Sequence, residues 1–206
     1  MKKLYLLRHG QTEFNVKKLV QGRCDSPLTD LGRKQAGMAA AWLKAHSVVP
    51  DKVVSSPLGR AMDTAQLVAC ELLGPDAAVE PCEGIIERCY GTFEEGPHDA
   101  LPTDVWDPGE DLVPYGGEGS RALQARMVAT LSNLMSAKDT ETLLAVSHGS
   151  ASRQFIKAAA PEGFELPAKL PNCAIKIFDF DDALEEDDTL QCKFTLQQIV
   201  DPQQSN

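Results

Sequence analysis

The sequence predicts an α/β layered fold with a largely parallel sheet, because three short apolar runs each end in polar residues and precede a stretch of helical character. The runs cover residues 4–7, 53–55 and 143–146, and they lead into Arg8-His9-Gly10, Ser56-Pro57 and Ser147-His148-Gly149. Short strands that alternate with helices are typical of parallel sheets. The carboxyl ends of such strands meet at one edge, where ligands bind, so we expect these polar residues to lie together there.

The remaining elements fit one domain over residues 1–200. Thr29 or Asp30 can begin a helix that runs to about residue 46, with Leu31, Ala39 and Leu43 on its apolar side. Two more helices are predicted over about 58–73 and 121–137. Residues 174–180 and 190–200 predict a hairpin at the sheet edge around an acidic turn at 185–188, and residues 201–206 predict a frayed tail.

Residues 92–120 follow a different pattern, with four prolines, several acids and no sustained periodicity. Loops of this length are seldom simple connectors in compact domains. We therefore expect an inserted functional loop, here called the lid segment. Its aromatic residues Trp106 and Tyr115 could stack on a substrate or serve only in packing.

Composition excludes several classes of partner. The formal net charge of −10 disfavours both nucleic acid and anionic membrane surfaces. The longest apolar runs are far too short to span a bilayer, and the first ends at Arg8, so a cytoplasmic protein is expected. The six cysteines are scattered without the short Cys/His spacings of zinc sites, and no metal site is predicted.

The strand ends bring cationic residues together despite the acidic composition. Arg8, His9, Arg60 and His148 are expected to converge on the same edge of the sheet. Guanidinium groups match phosphate oxygens bidentately, so the site suits a phosphorylated substrate. A nucleophilic histidine there would need to be neutral, with its second ring nitrogen donating to a carbonyl so that the tautomer is fixed.

An ordered set of motifs resembles the histidine phosphatase superfamily, which includes the cofactor-dependent phosphoglycerate mutases. Any one of these short motifs would be weak evidence, but their order along residues 4–180 is specific. The motifs are Leu7-Arg8-His9-Gly10-Gln11-Thr12-Glu13 with Asn15, Gln21-Gly22, Asp25-Ser26-Pro27-Leu28-Thr29, Ser55-Ser56-Pro57-Leu58 with Arg60-Ala61, Glu87-Arg88 with Tyr90-Gly91, Gly117-Glu118, and Val146-Ser147-His148-Gly149.

The resemblance implies a three-layer α/β/α sandwich around a mostly parallel sheet, and a reaction that needs neither metal nor cofactor. It implies that His9 is the nucleophile, and that Arg8, Arg60 and His148 hold the phosphoryl oxygens. Glu87 matches the acid/base position, which protonates the leaving alkoxide and later activates water.

Other residues have less specific assignments. Asn15, Gln21 and Gly22 are expected to bind substrate. Glu87 could instead pair with Arg88, while Glu83, Glu94, Glu95 and Asp99 lie near enough in sequence to compete for its role. Arg60 alone could simply pair with Asp63 at helical spacing. His46 and His98 match no motif and are expected to be solvated.

The function predicted is hydrolysis of a small phosphorylated metabolite through a phosphohistidine. The first alternative is a phosphoglycerate mutase, but residues 92–118 contain no lysine or arginine to hold a second phosphate. The acids in that segment favour a substrate with a neutral or cationic leaving portion. A non-catalytic phosphate-binding module is the second alternative, and it predicts loss of a core residue. A homodimer is compatible with the sequence.

Overall fold

A six-stranded sheet lies at the centre of the computed structural model, which describes residues 1–183 and 193–204. The strands are β1 (Lys2–Arg8), β2 (Lys52–Ser55), β3 (Glu80–Pro81), β4 (Thr142–Ser147), β5 (Ile175–Phe180) and β6 (Phe194–Val200). The helices are α1 (Glu13–Lys17), α2 (Asp30–Ala45), α3 (Gly59–Leu73), α4 (Ser120–Met135) and α5 (Gly149–Ala159).

The strand order is β3-β2-β4-β1-β5-β6, with β1, β4, β2 and β3 parallel and β5 and β6 antiparallel. The register places Arg8 opposite Ser147 and Ser55 opposite Val146, so the three carboxyl strand ends share one edge. The mostly parallel sheet and the edge hairpin are therefore confirmed. The acidic turn at 185–188 falls outside the described residues.

Both faces of the sheet are covered, which confirms the three-layer architecture. Alternate residues of a strand point to opposite faces. On β1, Leu4 and Leu6 pack with side chains of α4 and α5, while Leu7 packs with side chains of α2 and α3. Each face thus has its own apolar core beneath a pair of helices.

Helix α2 begins where predicted, because the Thr29 hydroxyl accepts a hydrogen bond from Gly32 N at 3.0 Å. The prediction is wrong for one residue of its apolar side. Leu31 is 45% exposed, whereas Ala39 and Leu43 are buried. The buried side of α2 starts one position later, at Gly32, and continues at helical spacing.

The lid segment consists of irregular backbone with 3-10 turns at Gly91–Phe93, His98–Ala100 and Val113–Tyr115. Its Leu101 and Leu112 form a small separate core with Val20 and Tyr90, which lie outside the segment. The backbone of Val20 also exchanges hydrogen bonds with residues 95 and 96, both of 2.8 Å. These contacts attach the base of the lid segment to the loop after α1.

Residues 201–204 differ from the frayed tail that the sequence predicts, since Gln203 accepts a hydrogen bond from Gln35 Nε2 and donates one to the Asn172 carbonyl.

Across residues 1–183 and 193–204, no helix combines the length and the apolar character needed to cross a membrane.

Candidate active site

A cleft of about 510 Å³ opens at the carboxyl ends of β1, β2 and β4. Seven of the eight site residues predicted from the sequence line it, namely Arg8, His9, Asn15, Gln21, Gly22, Arg60 and Glu87. His148 lies directly behind, fully buried, with its ring centroid 5.2 Å from that of His9. The fold thus gathers residues from distant parts of the sequence at one site.

His9 is 2% exposed, and its Nδ1 lies 2.7 Å from the Gly10 carbonyl oxygen. A carbonyl can only accept, so Nδ1 carries the proton and the lone pair of Nε2 remains for chemistry. Burial, with the cations Arg60 and Arg8 adding to it, lowers the pKa of His9 well below its ordinary value. The imidazole is therefore neutral at neutral pH, as a nucleophile requires.

Arg60 is 1% exposed and is held by backbone carbonyls. Its terminal nitrogens donate to the carbonyls of Gly22 and Cys24, both at 2.7 Å, and it forms an ion pair with Asp25 at 3.3 Å. The alternative pairing of Arg60 with Asp63 is absent from the described hydrogen bonds and ion pairs. Asp25 also accepts from the backbone N–H of Arg60, so it joins the Asp25-Ser26-Pro27 motif to the start of α3.

Arg8 is anchored on both sides. One terminal nitrogen donates to the Leu170 carbonyl, and the guanidinium lies 5.0 Å from the ring centroid of Trp106. Burial lowers the pKa of Arg8 to about 10, which still leaves it cationic at neutral pH.

Three buried nitrogens beside the histidine pair have no hydrogen-bond partner within the described part of the chain. They are Arg8 Nε, Arg60 Nε and His148 Nδ1. The other nitrogen of His148, Nε2, lies 2.7 Å from the Ser56 hydroxyl. Unsatisfied buried polar groups are costly, and donors of this kind are suited to a bound anion such as a phosphoryl group.

Glu87 is fixed by backbone N–H groups. Its Oε1 accepts from the N–H of Arg88 and of Ala151, both at 2.8 Å, and its Oε2 accepts from the N–H of Ser150 at 3.2 Å. Two of these donors belong to the first turn of α5, whose dipole favours a carboxylate. The side chain is 7% exposed and lines the cleft.

The competing assignments for Glu87 do not hold. The guanidinium of Arg88 binds Ser150, Ser120 and the carbonyls of residues 109 and 118, instead of the Glu87 carboxylate. Glu94 accepts from the N–H of Arg23 and Tyr90. Within the described lining of the cleft, Glu87 is the only carboxylate, so Glu83, Glu94, Glu95 and Asp99 are excluded from that wall.

The residues predicted to bind substrate share a small network. Asn15 Oδ1 accepts from the Thr12 N–H at 3.1 Å and from Asn172 Nδ2 at 3.2 Å, while Gln21 Oε1 accepts from the Thr12 hydroxyl at 2.9 Å. Gly22 has a positive φ of 53°, and a Cβ there would overlap the Glu94 carboxylate. Glycine adopts this left-handed conformation without the strain that a side chain would add, and it leaves room for the Glu94 side chain.

The lid segment contributes Trp106, His98 and Val105 to the cleft wall, whereas Tyr115 is 44% exposed and packs on Phe93. The prediction that His98 is solvated is wrong. Its Nε2 lies 3.2 Å from the Leu19 carbonyl, and burial lowers the pKa of this half-buried imidazole.

Sequence reasoning missed Lys18, Lys169 and Asn172, which also line the cleft. Asn172 donates to the His9 carbonyl at 3.1 Å and so supports the nucleophile position. Lys18 stands three residues after Asn15, which was the one available signal for it. Nothing in the sequence pattern around Lys169 singles it out.

Comparison with known proteins identifies the family of this chain. The model of the histidine phosphatase superfamily (branch 1) matches residues 4–189. A probable phosphoglycerate mutase, GpmB, from Proteus mirabilis (strain HI4320) is 31% identical over 186 residues, which cover 87% of this chain and 86% of that protein.

Solved structures give the same result. A mutant phosphoserine phosphatase from Entamoeba histolytica, in complex with phosphoserine, has a TM-score of 0.74 and 27% identity, and 98% of each chain is covered. A phosphoglycerate mutase from Bacillus anthracis str. Sterne has a TM-score of 0.80 over 98% of this chain and 94% of that chain, and at 21% identity it supports the fold alone. The family match, the curated relative and the shared fold together show that this chain belongs to branch 1 of the histidine phosphatase superfamily.

Proposed function

We propose that this protein hydrolyses a small phosphomonoester, without a metal ion, through a phosphohistidine formed on His9. The observation that carries the proposal is a neutral imidazole of fixed tautomer beside buried, unpartnered nitrogens of Arg8, Arg60 and His148. Oriented donors in a site with little water stabilise the charge of a phosphoryl group in transit.

In the first step, His9 Nε2 attacks phosphorus, the N–P bond forms and the P–O ester bond breaks. Arg8 and Arg60 neutralise the phosphoryl oxygens, and His148 donates to one of them. Glu87 gives its proton to the departing alkoxide, so the alcohol leaves uncharged.

In the second step, water attacks the phosphohistidine. Glu87, now a carboxylate, takes a proton from that water as the O–P bond forms and the N–P bond breaks. Inorganic phosphate is released, His9 returns to its neutral form, and Glu87 is again protonated. The cycle needs no group beyond the chain, water and substrate.

Hydrolysis is favoured over phosphoryl return because the lid segment adds Val105, Trp106 and His98 to the cleft, and no lysine or arginine. A mutase must keep a second phosphate bound while the first one is exchanged. The alternative, a phosphoglycerate mutase, is favoured by Lys18 and Lys169 at the cleft and by the name of the curated relative.

The deciding experiment measures phosphate release from a panel of phosphomonoesters in the presence of a chelator, with wild type and His9→Ala. Conversion of 3-phosphoglycerate to 2-phosphoglycerate is followed in parallel, with 2,3-bisphosphoglycerate added. Release that is lost in the variant supports hydrolysis, together with a mass increase of one phosphoryl group on wild type. Isomerisation without net release would replace this proposal by the mutase, and binding without either reaction would favour the non-catalytic module.

A further inference from the structure

Lys176 is a fully buried lysine that the proposed reaction does not use. It lies on β5 opposite Leu6 of β1, and its side chain is 0% exposed. Residues that face each other across two strands point to the same side of the sheet, and Leu6 packs with side chains of α4 and α5. The stem of Lys176 is therefore buried beneath those helices, on the side to which Arg8 also points by the alternation along β1.

The amine of Lys176 extends toward the phosphoryl site. Its Nζ lies 3.2 Å from the carbonyl oxygen of Ala174, which is two residues nearer to the edge where the cleft opens. The same oxygen accepts from the backbone N–H of Arg8, also at 3.2 Å. One carbonyl thus connects the buried amine to the residue that precedes His9.

This environment fits a neutral amine better than an ammonium group. An ammonium has three N–H donors, and within residues 1–183 and 193–204 the Ala174 carbonyl is the one hydrogen-bond acceptor for Lys176, which forms no ion pair there. A buried charge without a counter-ion is costly, and so is a buried donor without an acceptor. A neutral amine carries no charge and has fewer donors to satisfy.

The charged groups around Lys176 lead to the same state. Burial lowers the pKa of Lys176 to about 7, and the charge of Arg8 adds to this effect, whereas Cys173 and Glu87 oppose it. Cys173 is a neutral thiol at neutral pH, because burial raises its own pKa to about 12, with Asp201 adding to that effect against the two cations.

The other elements packed against this lysine bring no charge toward it. Ile199 is its partner on β6, the buried residues of α4 and α5 are uncharged, and His9 is neutral as described above. Above neutral pH the empty site therefore has Arg8 and Arg60 as its buried cations, while Lys176 behind them is uncharged.

We propose that Lys176 takes up a proton from solvent when a phosphoryl group binds in the cleft, and thereby adds a third buried positive charge to those of Arg8 and Arg60. The proposal deepens the proposed hydrolase and rests on it for the identity of the bound group. A bound dianion brings two negative charges, and each charge at about 10 Å in a protein interior shifts a protonation equilibrium by on the order of tenfold. Lys176 does not touch the substrate, and it is a positioning residue that stabilises the anion held by Arg8.

Tungstate is the probe for this proton uptake, because it stays a tetrahedral dianion between pH 7 and 9 and is not turned over. Calorimetry at pH 8 in buffers of different ionisation enthalpy gives the number of protons taken up on binding. We expect wild type to take up at least about half a proton more per site than Lys176→Met. Between pH 7.5 and 8.5, the tungstate affinity of wild type should also fall by about three- to tenfold more than that of the variant.

Lys52→Met is the matched control, since Lys52 lies at the amino end of β2 and pairs with Glu80 at 2.8 Å. This variant should keep the wild-type proton uptake. Other groups that titrate on binding are common to all three proteins and cancel in the comparison. Equal proton uptake by wild type and Lys176→Met would overturn the proposal.

A second measurement needs no substitution at the buried position. Wild type is prepared with lysine labelled with ¹³C at Cε, and NMR follows the lysine signals from pH 6 to 9. One signal should titrate near pH 7 in the free protein and keep its charged position with tungstate bound. The lack of such a signal in the free protein, or an equal midpoint with and without tungstate, would reject the proton uptake.

Because tungstate binding requires no turnover, the proton uptake and the hydrolase can fail separately. Uptake that depends on Lys176, without phosphate release from any phosphomonoester, would retain the role of Lys176 and reject the hydrolase. Phosphate release without uptake that depends on Lys176 would do the reverse.

Discussion

The indole of Trp106 faces the guanidinium of Arg8, with 5.0 Å between the ring centroid and Arg8 Cζ. The ring also contacts the start of α5, where a Cβ added to Gly149 would lie 2.9 Å from it. The Asp104 carboxylate accepts from the backbone N–H of Trp106 at 3.0 Å and orients this turn. Trp106 therefore connects the lid segment to Arg8 of the phosphoryl site.

Replacing Trp106 with alanine should weaken phosphomonoester binding, because Arg8 loses an aromatic face that restrains it. A cation–π contact of this kind is worth about 0.5–2 kcal/mol, so kcat/KM should fall by about two- to thirtyfold. Steady-state kinetics with p-nitrophenyl phosphate measure the effect. Trp106→Phe should retain part of the activity, and Tyr115→Ala in the same segment should leave it unchanged. Equal activity of wild type and Trp106→Ala would show that the stack is not needed.

Replacing Glu87 with glutamine should lower kcat/KM, which reports the transfer of the phosphoryl group to His9, by about 10²- to 10⁴-fold for alkyl phosphates, the contribution usual for a general acid. The loss should be much smaller for p-nitrophenyl phosphate, whose leaving group needs no protonation. Glu83→Gln, at an exposed position outside the described cleft lining, is the matched control. Equal losses for both substrates would point to a structural role instead, since glutamine also disturbs the N–H contacts of Ser150 and Ala151.

Asp107 joins the lid segment to α5. Although burial raises its pKa, hydrogen bonds from Lys157 and Gln154 lower it more, and the net pKa is below the ordinary value. Asp107→Ala should therefore speed amide hydrogen exchange across residues 100–112 by at least about threefold, as local opening becomes easier. Because partly exposed ion pairs contribute only about 0–1 kcal/mol, global stability should change little. Asp111→Ala serves as the control, and unchanged exchange in Asp107→Ala would exclude this anchoring role.

Much of the fold was predictable because short-range signals carry it. Apolar runs that end in polar residues located β1, β2 and β4, and parallel pairing then places their carboxyl ends at one edge. Thr29 marked the start of α2 through its capping hydroxyl. The site residues of these strand ends follow from topology, so Arg8, His9 and Arg60 could be expected together.

The rest depends on tertiary packing that no local pattern encodes. Lys169 reaches the cleft because Leu170 turns inward to hold Arg8, and Lys18 because its residue adopts a left-handed conformation. The sequence predicts the acidic character of the lid segment, but it does not predict where the carboxylates point. Asp107 and Glu118 face basic residues of α5 and α4, a choice made only when the segment docks.

The last prediction concerns acid stability, since burial lowers the pKa of both His9 and His148 well below the ordinary value of 6.5. Above pH 6.5 both are neutral whether the chain is folded or unfolded, so their titration does not change the free energy of unfolding there. Below pH 6.5 the unfolded chain binds protons that the folded chain cannot, so stability falls as pH falls. Each histidine contributes a limiting slope of about 1.4 kcal/mol per pH unit.

His148→Gln should therefore reduce the pH dependence of the free energy of unfolding by about 1.4 kcal/mol per pH unit between pH 6.5 and the folded pKa. Urea titrations at a series of pH values measure it, and the slope is independent of any constant loss that the substitution causes by repacking. His148→Asn should give the same slope, because it removes the same titrating group with a different shape. A slope that remains at the wild-type value in both variants would mean that His148 takes up its proton at the same pH in the folded and unfolded chains. Burial and the nearby cations would then not lower its pKa.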